Sequence, residues 1–530
     1  MIHDRNDVKI LAMTRLAQRT VALLAFSLVV GAALTQTPDP AIKQADAAYR
    51  EGQAALARND LAAAQADFER VIRLAPHVES GYTALGTVFL QLGRSADAVR
   101  ELELARTISK TDKAAEMNLA LAYQQVGASA KAIALFQSLE AAAQLRKQSL
   151  PGFALAPYAR ALAATGNLKG AASHMQEAVK ANPEDAELHY ELGSIFAQEK
   201  AWPQARAEFV RAVEIQPAMA VAHLRLGLVM QAQGEADSVN EIAHAAQLMP
   251  NDVATQLELG KALASAGQDD QAIPVFEHLL ALHPNALEAT YQLALAYQRA
   301  NRTSEAITLL QTVVAAEPKN AMALTNLGLA YLQAQRAKDA VPVLQRAVAL
   351  APKDATGHQD LAAADVQLSQ FADAADELRI ALKLDPNSPQ LHYNLGLALK
   401  SQDDAAGAIP ELERAEKLDP AAPEAPYFLG VLYMQAGRYA EASRELQTSL
   451  RLRPANGDGW ATLGSVYSKL DQLPEAVAAL REAIKQLPQQ PDPHLTLAAV
   501  LAKQGHAADA VAERKQAADL MRTNMNRQRA

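Results

Sequence analysis

The chain has 530 residues, half of them hydrophobic but only 5% aromatic, and no cysteine, which excludes disulfides, thiolate metal centres and a thiol nucleophile. Its net charge is −9 with bases and acids interspersed, so no basic face for DNA, RNA or an anionic lipid surface is expected. Ala and Leu dominate over β-branched and aromatic residues, which points to helices packed closely through small side chains.

The N-terminal stretch "TRLAQRTVALLAFSLVVGAALTQTPDP" has the three parts of a secretory signal. Arg15 and Arg19 give the positive region, Val21 to Leu34 the apolar run, and Gly31, Ala32 and Ala33 the small residues before a polar, Pro-containing segment. This uncharged, mainly apolar run of 14 residues falls short of the roughly 20 that span a bilayer. Cleavage near Ala33 or Thr35 is expected, which places the protein in the periplasm or outside the cell; an uncleaved inner-membrane anchor is the alternative. Translation starts at Met1 or at Met13, whose following residues make the more typical positive region.

From Ala45 a pattern returns every 34 residues. Fourteen copies begin at Ala45, Glu79, Lys113, Gly152, Ala186, Ala220, Val253, Leu287, Ala321, Ala355, Pro389, Pro423, Gly457 and Pro491. Within a copy, position 8 is always Gly or Ala, and position 20 is Ala in every copy except that of Val239. Apolar positions 4, 7, 8 and 11 share one face of a first helix, and positions 20, 24 and 27 share one face of a second. A polar break such as "KSQDD" is the turn between them, and Pro at position 32 in ten copies stops the second helix. Small residues at positions 8 and 20 let the two helices approach closely.

The organisation read from this is a signal (1–35), a linker (36–44), three repeats (45–144), an insertion (145–151), eleven repeats (152–522) and a polar tail (523–530). The insertion is expected to lengthen a helix and to interrupt the stacking between the third and fourth copies. The tail is expected to solvate the end of the array.

Trp460, Leu463, Gly464, Tyr467, Ala476, Ala483 and Pro488 together resemble the signature of the tetratricopeptide repeat. That resemblance covers about Ala45 to Arg522 and implies an all-α, right-handed α-solenoid superhelix of about fourteen helical hairpins. It implies a protein-binding scaffold whose first helices line the concave surface. Exported bacterial members often serve envelope assembly, secretion or polysaccharide export. A subunit that presents substrates to a separate enzyme, such as a glycosyltransferase, is the alternative.

No loop for phosphates, nucleophile elbow or dinucleotide fingerprint occurs, and no catalysis and no cofactor is expected. His189, His223, His358, His392 and His494 all stand at position 4, and a packing role is the expectation. Zinc ligation would need nitrogens about 2 Å from one ion, whereas equivalent atoms of stacked repeats lie roughly 10 Å apart. Asp403 and Asp404, like Asp269 and Asp270, fall in turns, where acids complement a helix dipole. Pro274, Pro342 and Pro410 are expected near the first turn of second helices, where a missing N–H costs little.

The candidate site is position 6 of four consecutive copies: Gln292, Asn326, Asp360 and Asn394. The row resembles the asparagine ladder of O-linked GlcNAc transferase, where amides clasp an extended peptide. A carboxamide carries a donor and an acceptor in one plane, matching a peptide backbone; Asp360 only accepts. Tyr291, Tyr393, Tyr427 and Gln298, at positions 5 and 12, are expected to line apolar pockets beside it. No three consecutive copies carry the Lys and Asn set of a clamp for a C-terminal carboxylate.

Overall fold

The computed structural model describes residues 40–529. The signal expected over residues 1–35 therefore lies outside the described residues. Among those described there are twenty-eight helices and no strand. Eleven first helices begin on the residue where the 34-residue phasing starts a copy, for example Lys113–Gln125, Leu287–Arg299 and Pro389–Ser401. The pattern of small and apolar positions thus marks a physical boundary. Side chains fix it locally: Asp112, Asp185, Asn320 and Ser388 each accept from backbone N–H groups of the first turn.

Position 15 takes a left-handed backbone in every copy, and this reverses the chain between the two helices of a hairpin. Half of these positions are Gly, such as Gly93 and Gly437. The others, including Lys200, Gln335 and Asp403, adopt the same conformation against a steric cost of about 1–2 kcal/mol. The hairpin geometry therefore comes from packing and not from glycine alone.

That packing centres on positions 8 and 24. A Cβ on Gly328 would lie 2.4 Å from Cγ of Leu344, and one on Gly396 would lie 2.7 Å from Cγ of Leu412. Phe68, Leu102, Phe136, Phe209, Leu310 and Leu344 at position 24 are fully buried. Truncating one of them to Ala would cost about 2–5 kcal/mol.

The chain forms two units, 40–267 and 268–529. The first holds six hairpins and the helix Val253–Ser265; the second holds the helix Asp269–Leu282 and seven hairpins. Within each unit, first helices of neighbouring repeats touch one another, while second helices make no comparable contact with the next second helix. Each unit therefore curves with its first helices on the inner side.

Several expectations need correction. Residues 40–44 are not linker: they open the helix Pro40–Ala57. The insertion lengthens the helix Ser129–Leu145, but it does not interrupt stacking. Phe136 and Tyr158 stack across it with ring centroids 5.0 Å apart, and one apolar core runs from Ala48 to Met230. Residues 523–529 are not a separate tail but continue the helix Ala507–Arg529, since no Gly or Pro stops it. Pro410 is the sixth residue of the helix Ala405–Leu418, past its first turn. The carbonyl it leaves free belongs to exposed Ala406, where water can take the bond.

The exception at Val239 has a cause. The repeat from Ala220 is one residue short in its turn, so Ser238 fills the small slot and is buried. Ile242 then takes the place under Gly227, 2.5 Å from where a Cβ would stand.

Candidate peptide-binding surface

The inner side of the second unit is built from first helices, and its side chains meet along the seams between them. Asn326 Nδ2 donates to Tyr291 Oη at 2.7 Å, one repeat earlier. Gln298 Nε2 donates to the Asn326 backbone carbonyl at 3.1 Å. Gln298 is buried, so it is a strap between repeats and not a groove-lining residue, which corrects its expected role. Asn326 therefore meets a seam, and all four residues at position 6 are only partly exposed.

The four rungs are not equivalent. Gln292 Nε2 donates to Glu288 within its own helix at 2.9 Å, and Asn394 Oδ1 accepts from Gln390 at 2.8 Å. Each of these amides keeps unused hydrogen-bonding capacity. Asp360 differs: no hydrogen bond or ion pair reaches its carboxylate among the described residues. Burial, with Asp354 nearby, pushes its carboxyl up to about 6.

Tyr393 and Tyr427 are brought together by a residue that sequence reasoning passed over. Phe428 lies between them, with its ring centroid 6.2 Å from Tyr393 and 5.1 Å from Tyr427. Lys400 Nζ sits over the same ring, 5.6 Å from its centroid. All three rings are half-buried, and Leu397 and Val431 on the same two helices are likewise partly exposed. Burial raises both phenols above their usual range, with Glu424 adding to the shift at Tyr393 and Asp458 at Tyr427. Neither hydroxyl has a partner among the described residues. Phe428 stands at position 6, which is polar in the four preceding copies, and its trace in the sequence is the Tyr427–Phe428 pair itself.

The position-4 histidines form clasps. Nδ1 of His189, His223, His358 and His392 lies 2.6–2.7 Å from a carboxylate oxygen of Glu208, Glu241, Glu377 and Glu411, on the second helix of the same hairpin. His494 meets Glu513 in the same way. Nε2 of the first four reaches the carbonyl of the Pro six residues before. Among the described residues, no three His, Asp or Glu side chains converge as a metal site would need.

An all-α array of stacked hairpins, each closed by a small residue against a large one, defines a class of repeat solenoid. Models of the tetratricopeptide repeat match residues 49–113, 158–220, 253–294, 291–355 and 399–466, and a TPR repeat model matches 362–403 and 464–505. The chain belongs to the tetratricopeptide repeat family, whose members are scaffolds for protein–protein interaction. Among solved structures it is similar to MamA 41-end from Desulfovibrio magneticus RS-1, at 24% identity over 32% of this chain and 95% of that one, TM-score 0.31. It is also similar to yeast Tom70, at 17% identity over 74% of this chain and 96% of that one, TM-score 0.33. The APC/C hetero-tetramer Cut9-Hcn1 matches at 15% identity over 90% of this chain and 94% of that one, TM-score 0.34. No curated protein matches the chain. No described helix is long and apolar enough to cross a membrane.

Proposed function

We propose that this protein is a non-catalytic scaffold that holds an extended protein segment along the first helices between Leu287 and Pro454. One observation carries the reading: the Tyr393–Tyr427–Phe428 cluster is left half-open, with two unbonded hydroxyls, beside the unspent amide of Asn394. Aromatic rings with a polar tip supply much contact area for little conformational entropy, and amides fix the backbone register of a guest. The sequence before Gln36 supports work after export, in envelope assembly, secretion or polysaccharide export.

The test is calorimetry with a peptide selected on the purified protein from a phage-displayed random library. Phe428→Ala and Asn394→Ala are each expected to weaken binding, by about tenfold or more for the aromatic. Unchanged affinity in both would remove the reading. N-terminal sequencing of the protein from native cell fractions tests export. A start near Leu34 or Gln36 supports it, and an intact N-terminus on cytoplasmic material refutes it.

A further inference from the structure

In the first unit both acids at position 6 hold a cation: Glu258 accepts from Lys261 of its own helix at 2.9 Å, and Glu191 takes one from the neighbouring repeat. Glu191, at position 6, receives Arg160, at position 9 of the repeat before. Arg160 Nε and Nη2 lie 2.7–3.0 Å from the two carboxylate oxygens. This two-pronged pairing is the strong form of the guanidinium–carboxylate bond.

Asp360 holds position 6 in the second unit, but the equivalent cation is missing. Position 9 of the repeat before is Leu329, and position 5 is Thr325, whose hydroxyl is already given to Ala321 O at 3.1 Å. One repeat earlier the residue at position 5 is Tyr291, and it meets Asn326. Asp360 therefore has the place of Glu191 without an Arg160 and the place of Asn326 without a Tyr291. Its surroundings add only another acid, Asp354, and no cation contributes to its electrostatics. A half-buried carboxylate in that state costs the free protein stability, and an incoming cation would recover it.

We propose that Asp360 receives the guanidinium or ammonium group of the bound segment, so that the inner side of the second unit selects peptides carrying Arg or Lys at one fixed place. This rests on the scaffold reading above and adds to it a chemical class of partner. Arg fits better than Lys, because the Arg160–Glu191 pair is formed by a planar fork and not a point charge.

The experiment is selection of random dodecapeptides displayed on phage against the full chain and two variants. Asp360→Asn removes the charge without changing shape. Leu329→Arg places a guanidinium where Arg160 stands in the first unit and should close the seam from within. The wild type is expected to enrich Arg or Lys at one aligned place. Peptides from it should lose about tenfold in affinity on Asp360→Asn, and on Leu329→Arg as well. Melting of Leu329→Arg at or above wild type would show that the internal pair forms. Peptides without a basic preference, or a preference unchanged in Asp360→Asn, would overturn the inference and leave the scaffold reading standing. No selected peptide at all would overturn both.

Discussion

His392 and Glu411 lie on the two helices of one hairpin and meet at 2.6 Å between Nδ1 and Oε2. The other face of the ring reaches back 3.2 Å to the Pro386 carbonyl, at the end of the preceding repeat. One side chain therefore joins three segments. Trp460 and Tyr82 do part of the same work, each donating to the Pro carbonyl six residues earlier.

Replacing His392 by Ala should cost about 1–3 kcal/mol, because it leaves a carboxylate and a carbonyl without their partner. In a repeat array the loss stays near its origin. Hydrogen exchange should rise around Pro386–Gly396 and in the helix Ala405–Leu418, with protection of the first unit unchanged. A uniform rise along the whole chain would contradict this.

Gly328→Val should destabilise by at least about 2–3 kcal/mol, since its Cβ position is already occupied by Leu344. The paired change Gly328→Val with Leu344→Ala should recover part of that loss. Thermal melting of the single and double variants measures it, and purely additive losses would mean that the two residues do not share the contact.

Asp365 offers a test of pH dependence. Five other repeats place a Tyr at this position 11, and its hydroxyl bonds the residue at position 25 of the repeat before. Examples are Tyr331 with Gln311 at 2.8 Å and Tyr467 with Gln447 at 2.7 Å. Asp365 is buried without such a bond, and burial, with Asp373 and Glu377 nearby, pushes its carboxyl up to about 6. A raised folded-state value favours the neutral acid. Its stabilising contribution is complete below the ordinary value of 3.8 and is lost as pH rises through about 6. Asp365→Tyr should rebuild the strut to Gln345, raise stability by about 1–2 kcal/mol at pH 7.5, and flatten this part of the pH profile. Melting from pH 4 to pH 8 checks it; an advantage that grows toward pH 4 would contradict the sign.

Much of this fold could be read from spacing, because each contact that closes a hairpin joins positions that recur in every copy. Gly396 and Leu412, 16 residues apart, are one instance repeated along the chain. The candidate surface was less visible for the same reason. Its bond from Asn326 to Tyr291, like that from Arg160 to Glu191 in the first unit, joins different positions of neighbouring copies, so a column-by-column reading never sets the partners side by side. The His clasps did leave a trace: each position-4 His has a Glu 19 residues later, or 18 in the short repeat. Reading His as a packing residue hid that partner. Gln298 was misjudged because its position lies at the edge of the open face, where one seam bond turns it inward.

The short repeat from Ala220 shows that the frame has slack. One residue fewer in its turn is absorbed when Ser238 and Ile242 step into the closing contact, and the helix Val253–Ser265 starts on time. Length changes in such a turn are thus buffered locally. The loss of one residue there leaves the phase of its neighbours unchanged.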